Sequence, residues 1–252
     1  MTLTDPAGCL IDIANGYCTR HPPSRMFQIL SLKLAKTPIK DRPVQLYGYI
    51  AVRDHLDPLL NYVVNFSRDD PISMEQGSSI SMPGPKRGID LSGNIVVAYD
   101  MRIKTTEEVK HDLQLIDGAS MIHHKDLRDC RAFTSRIHGD HCAIDLTASA
   151  LDDAVEATVE VIISEVRSGF AIRLGCFVGM VDEEIQIFDS TVNDKAHGLK
   201  LKRFVVAVPI RSSWMKLEFK VGTGSVWCRF AFMANDHGLL VGLRRWISRC
   251  SR

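Results

Sequence analysis

The sequence lacks any apolar stretch near the ~20 residues a membrane helix requires. It also lacks a sustained run of apolar residues at helical spacing. A helical membrane protein and a helix bundle are both excluded on that ground. Net charge is nearly absent: 31 basic residues face 30 acidic ones, leaving a formal charge of +1. There is no overall drive toward nucleic acid or anionic membrane, so only local patches could carry such binding. Aromatic residues are scarce at 7%. Paired cysteine spacing is missing too. The seven cysteines (Cys9, Cys18, Cys130, Cys142, Cys176, Cys228 and Cys250) are odd in number and irregularly placed. That pattern argues against a disulfide framework. Residues 1–16 contain Asp5, Pro6 and Asp12 and no basic segment followed by an apolar core. They do not read as a secretory leader, and a cytoplasmic location is expected.

What the sequence does have is alternation of apolar and polar residues, restarted about ten times after turn signals. In 155–163, Val155, Ala157, Val159, Val161 and Ile163 share one parity, and Glu156, Thr158, Glu160 and Ser164 the other. Successive side chains of a strand point to opposite faces, so this spells a strand with one buried side. Leu30, Leu32 and Leu34 are expected to face inward in the first strand, with Ser31 and Lys33 outward. In 45–53, Leu46, Ile50 and Val52 lie on one face and Tyr47 and Tyr49 on the other. Ile95, Val97, Tyr99, Met101 and Ile103 alternate with Asp100, Arg102 and Lys104. A short strand around Leu113 and Leu115 is expected to close at Asp117-Gly118. Residues 123–140 show no period and are predicted as a long surface loop. Asp152-Asp153 is predicted as a tight turn joining two antiparallel strands. Cys142, Cys176 and Cys228 share the parity of apolar strand residues and are read as buried thiols. The expected fold is an all-β antiparallel sandwich of about ten strands. Its body is placed at 25–222, after an irregular segment 1–24 and before a divergent segment 223–252. Residues 239–252 combine Trp246 and Ile247 with Arg244, Arg245, Arg249 and Arg252, read as a short basic amphipathic helix or a terminus docked by Trp246.

Several long strings match a family pattern in order. They include Met26-Phe27-Gln28-Ile29-Leu30-Ser31-Leu32, Gln45-Leu46-Tyr47-Gly48-Tyr49-Ile50-Ala51-Val52-Arg53-Asp54 and Ser67-Arg68-Asp69-Asp70-Pro71. Further strings are Gly84-Pro85-Lys86-Arg87-Gly88-Ile89, Leu113-Gln114-Leu115-Ile116-Asp117-Gly118 and Ala154-Val155-Glu156-Ala157-Thr158-Val159-Glu160-Val161. Over about residues 8–221 the chain resembles a plant domain of unknown function expanded in grasses, DUF6598. The resemblance implies a stress or defence setting, because similar domains occur attached to ribosome-inactivating domains in cereal jasmonate-induced proteins. It supplies no catalytic residues. Past residue 222 the familiar ending survives only as Cys228-Arg229-Phe230 and His237-Gly238.

Candidate chemistry is sparse. Ser164-Glu165-Val166-Arg167 resembles the Ser-Glu-Ala-x-Arg string of ribosome-inactivating enzymes, but Glu and Arg are two apart rather than three. On a strand end that spacing makes a solvated pair, so no catalytic residue is assigned. His123, His124, Cys130, His138, His141 and Cys142 are zinc-type ligands without paired ligand spacing, and no metal or cofactor is expected. Gly84-Pro85-Lys86-Arg87-Gly88 could cradle a phosphate with its amides and cations but has no Walker pattern; a rigid turn is the simpler reading. Asp69 with Asp70 and Asp152 with Asp153 are adjacent carboxylates, without the separation that glycosidase chemistry needs. The expected role is a non-catalytic interaction or accessory module with an unidentified protein partner. Tyr47, Tyr49, Lys86, Arg87 and Arg102 are the candidate contact residues, as aromatic or cationic groups on faces or loops. Two alternatives stand beside it. One is an accessory partner of a ribosome-inactivating activity, which predicts binding to ribosomes or to such a domain. The other is a carbohydrate-binding module, which requires aligned exposed aromatics.

Overall fold

The structure, a computed structural model, describes residues 12, 22–128, 130–165, 169–192, 197–200, 203–210, 214–221 and 225–234. Among them it is all-β and antiparallel, with two single-turn 3-10 segments and no α-helix. No helix among the described residues is long and apolar enough to cross a membrane. The predicted segment 239–252 and most of segment 1–24 lie outside the described residues, as does Arg167.

Three sheets build the body. The middle one joins β1 (Ser24–Lys36), β5 (Ile89–Asp90), β8 (Phe133–His138), β9 (Ala143–Val159) and β14 (Phe204–Pro209) in the order β14-β9-β1-β5, with β8 also on β9. A second holds β2 (Val44–Arg53), β3 (Asn61–Phe66), β4 (Ile72–Met74), β6 (Ile95–Lys104) and β7 (Leu113–Ile122), ordered β3-β2-β6-β7 with β4 on β2. The third orders β11 (Phe170–Val178), β12 (Ile185–Val192), β15 (Trp214–Val221) and β16 (Ser225–Met233) as β12-β11-β15-β16. A two-stranded sheet of its own, β10 (Ile162–Glu165) with β13 (His197–Lys200), lays Ile163 against the second core.

The middle sheet feeds two cores. Phe27, Ile29, Leu32 and Leu34 of β1 pack with Ile144, Leu146 and Ala148 of β9 against Leu46, Ile50, Val97, Met101 and Ile103. Met26 and Leu30 of β1 pack with Leu151, Ala154 and Val159 of β9 and with Val206 and Val208 of β14 against Leu174, Cys176, Leu217 and Phe219. Leu30 and Leu32 thus share a parity but enter different cores. The cause is a bulge: the register of β1 against β9 shifts between Ile29 and Ser31. An extra residue in one strand turns every later side chain to the other face.

β9 corrects the predicted turn. Asp152 and Asp153 do not end a strand; they sit inside one 17-residue strand. Asp153 takes a φ of 48°, and the β1 register shifts at the same point. The chain kinks there, but it continues through the kink into the second core. Aspartate tolerates the left-handed region better than most residues, which is why it serves here as it would in a turn. The predicted loop 123–140 is corrected as well, since it contains β8. So is the predicted stop at Asp117-Gly118: β7 runs on to Ile122, with Gly118 at φ 141°.

Other expectations hold. All five odd positions of β6 from Ile95 to Ile103 are buried and all five even ones are half-exposed. Cys142, Cys176 and Cys228 are buried, and Cys142 and Cys176 are unbridged. Burial pushes the thiols of Cys142 and Cys176 up, which disfavours the thiolate.

Candidate binding face

The outward side of the β3-β2-β6-β7 sheet collects the polar and aromatic residues that its core side rejects. Tyr47 on β2 stands opposite Arg102 on β6, and Tyr49 stands opposite Asp100. Neighbouring side chains on one face of an antiparallel pair are in contact range, so period two brings these four together. Arg102 Nε donates to Asp100 Oδ1 at 3.3 Å. Both side chains remain more than a third exposed, which makes the pair available and of little energetic weight. Tyr62 on β3 meets Tyr49 edge to face, with centroids 5.7 Å apart and rings crossing at 84°.

One end of this face is locked. Asp112, just before β7, has a fully buried carboxylate. It accepts from the Tyr47 hydroxyl at 2.8 Å, from Arg68 Nε at 2.7 Å and from the Thr105 amide at 3.1 Å. Arg68 also donates to the Thr106 carbonyl at 2.8 Å, and its guanidinium carbon lies 6.0 Å from the Tyr47 ring centre. The Arg68 guanidinium first, and the Tyr47 hydroxyl after it, hold the Asp112 carboxyl well below the usual carboxylate range. The Tyr47 hydroxyl is pushed up, chiefly by burial and then by Asp112. Each partner satisfies another, so the ring of Tyr47 is oriented before anything binds.

Gly48 lies between the two tyrosines with a φ of 108°. A Cβ there would fall 2.1 Å from the Asp100 carbonyl oxygen. β2 can run this close to β6 only with glycine at that position.

The face brings together Tyr47, Tyr49 and Arg102 of the five expected contact residues. Lys86 and Arg87 lie elsewhere. Lys86 is exposed, while its amide donates to Asn61 Oδ1 at 3.0 Å. Arg87 is only 8% exposed. Its guanidinium turns inward and forks onto Asp54, at 2.5 and 3.0 Å, and donates to the Asp57 carbonyl at 3.2 Å. A buried Asp54 needs a countercharge, and Arg87 supplies it. The phosphate-cradle reading of this loop fails on the same geometry. The amides of Gly84, Lys86 and Gly88 already donate to the Val63 carbonyl, Asn61 and Glu156.

The remaining candidates do not assemble. Among the described residues no three His, Cys, Asp or Glu side chains converge as a metal site. Ser92, His55 and Asp90 do meet, but the Ser92 hydroxyl donates to Asp90 Oδ2 at 2.5 Å and both ring nitrogens of His55 sit 3.4 Å from it. A nucleophile would give its proton to the histidine instead. Asp152 is paired with Arg25 at 2.7 Å. Sequence reasoning missed Arg68, Tyr62 and Asp112. Arg68 and Asp112 are 44 positions apart, and no local pattern links them.

Fold and face together define an all-β protein with a layered sheet body and an ordered aromatic surface. The chain belongs to the DUF6598 family, described as a domain of unknown function, whose family model matches residues 26–238. No curated protein matches it. Among solved structures, it is 5% identical to human group IVD cytosolic phospholipase A2 in complex with methyl gamma-linolenyl fluorophosphonate and terbium chloride. That match has a TM-score of 0.28 and covers 83% of this chain and 28% of that one. The chain thus spans little more than a quarter of the phospholipase. It is 10% identical to the paired C2 domains of extended-synaptotagmin 2, with a TM-score of 0.29, covering 91% of this chain and 85% of that one.

Proposed function

We propose that this chain is a non-catalytic interaction module that recognises a protein partner through the outward face of the β3-β2-β6-β7 sheet. The observation behind this reading is the prior ordering of that face. Tyr47 is held by Asp112, Arg68 is held by Asp112 and Thr106, and Tyr49 is braced by Tyr62. Tyrosine and arginine dominate interface hot spots, and side chains ordered in advance lose less freedom on binding. The crossed rings of Tyr49 and Tyr62 favour a protein over a sugar, because a sugar stacks on ring faces set side by side. The family resemblance suggests a partner in a plant stress or defence setting, with a ribosome or a ribosome-inactivating domain as the specific version.

Affinity capture from stressed cereal leaf extract tests the reading, with wild type, Y49A/R102A and K86A as baits. Proteins kept by wild type and K86A but lost by Y49A/R102A are the expected result, and ribosomal proteins among them would support the translation-linked version. The same retained set for all three baits would remove the face from consideration.

A further inference from the structure

An unpaired strand edge offers free amides and carbonyls to any other strand, and this chain guards several of its edges. Along β1, the Ile80 amide donates to the Leu32 carbonyl at 2.8 Å and the Leu34 amide to the Ser78 carbonyl at 3.1 Å, and β5 covers Met26 and Phe27. On β3, the Val63 carbonyl takes the Gly84 amide at 3.0 Å. On β14, the Ala207 amide donates to the buried Gln28 at 2.8 Å. β8 carries an arginine, Arg136, which forks onto Asp145 at 2.7 and 2.8 Å.

β7 is guarded at its start alone. The turn before β9 lies against it there, so closely that a Cβ on Gly139 would fall 2.0 Å from the Leu115 carbonyl oxygen. Beyond that point the strand is regular: 116–122 pair with 95–101 of β6 without a register shift. Among the described residues, no backbone hydrogen bond ties 117–122 to anything but β6. Asp117, Gly118 and Ala119 are exposed in succession. Successive residues point to opposite faces, so the open side they share is the edge itself. β7 contains no lysine, arginine or proline, and Asp117 is its single charge. Those are the residues that usually blunt an edge.

We propose that 117–122 pairs antiparallel with the same edge of a second copy of this chain, about a two-fold axis through Ala119. In that register Asp117 faces the second copy's Met121, Gly118 faces its Ser120, and Ala119 faces Ala119. Ile122 reaches toward the second copy's Ile116. No like charges meet, and the smallest side chains fall at the axis. The core sides also join: Ile116, Gly118, Ser120 and Ile122 stand opposite Met101, Tyr99, Val97 and Ile95, all buried, and even positions face even positions. A foreign strand would not require β7 to match its own reverse in this way; a second copy does. Such a contact closes at two copies. A net charge of +1 sets little repulsion between them. One strand edge per copy is a small interface, so the expected dimer is a micromolar one. The inference does not rest on the outward-face reading, because the pairing uses the β7 backbone rather than Tyr49 or Arg102.

Sedimentation velocity of the full chain tests it. Wild type is expected to be mostly dimeric at about 100 μM and mostly monomeric at about 1 μM. A119K and A119E each set two like charges face to face on the axis. Each is expected to keep the wild-type circular dichroism spectrum and to raise the dissociation constant about tenfold or more. Their equimolar mixture sets lysine opposite glutamate and is expected to recover the dimer. Hydrogen exchange of wild type needs no variant: amides within 117–122 should gain protection as the dimer forms. Wild type that stays monomeric at about 100 μM overturns the proposal and leaves the edge to an extended segment of another protein. A119K that dimerises as tightly as wild type also overturns it, as does a mixture that recovers nothing. If neither variant folds, a wild-type dimer without added protection at 117–122 overturns it.

Discussion

Asp112 is the residue on which the ordered end of the outward face depends. Its folded-state pKa is lowered relative to the unfolded chain, whose aspartate ionises near ~3.9. A lowered folded pKa contributes stability that is fully present above the unfolded value and is lost as pH falls through the folded one. Asp112→Asn should therefore be less stable than wild type by a constant margin from neutral pH down to about pH 5. The margin should shrink on further acidification. Urea denaturation at pH 7, 5 and 3 measures it, and a margin that ignores pH would contradict the assigned role. Gly48→Ala is the complementary test. The positive φ alone costs about 1–3 kcal/mol for a non-glycine residue, and the clash with the Asp100 carbonyl adds to it. A Gly48→Ala midpoint equal to wild type would show that β2 and β6 can separate freely. At this scale the sequence was half legible. Tyr47, Tyr49 and Arg102 follow from parity. Arg68 and Asp112 do not, because two loops meet only after the sheet has formed. Arg87 misleads because a cation in a glycine-proline turn suggests solvent, whereas the deciding fact is the burial of Asp54.

Among elements, β6 and β8 mark the limits of reading periodicity. β6 is a central strand with one dry face, so every odd residue is apolar and the pattern is plain. β8 lies at an edge of the middle sheet, and Ile137 is its one fully buried side chain. With so little to bury, its sequence had no need to alternate, and it read as a loop. β1 is a different case. Its alternation is visible, but the bulge after Ile29 reassigns faces partway along, and no residue type announces it. Truncation separates the two destinations. Leu32→Ala empties a site in the first core, and Leu151→Ala one in the second. Each should cost about 2–5 kcal/mol. Guanidinium titration would register both as lowered midpoints, and a cost below about 1 kcal/mol at either site would mean that its core is loosely filled.

At the level of the whole molecule, β1 and β9 are each one covalent strand serving two cores. Neither core can lose its share of the middle sheet while the other stays intact. Calorimetry of the full chain should therefore show one unfolding transition, and Leu32→Ala and Leu151→Ala should both shift that same transition. Two resolved transitions, each moved by only one variant, would show the cores to be energetically separate. The all-β class was visible in the sequence because two-residue periodicity is a local property. The sharing was not, because it depends on which strand follows through the kink at Asp153, and adjacent aspartates look the same in a turn as in a bulge.

The run of β9 past both cores also limits how such a protein can be shuffled. A gene fission near position 152 would hand each descendant an incomplete barrier against water, with half a strand missing from its middle sheet. Lineages that borrow this unit must copy the run containing β1, β9 and β14 in one piece.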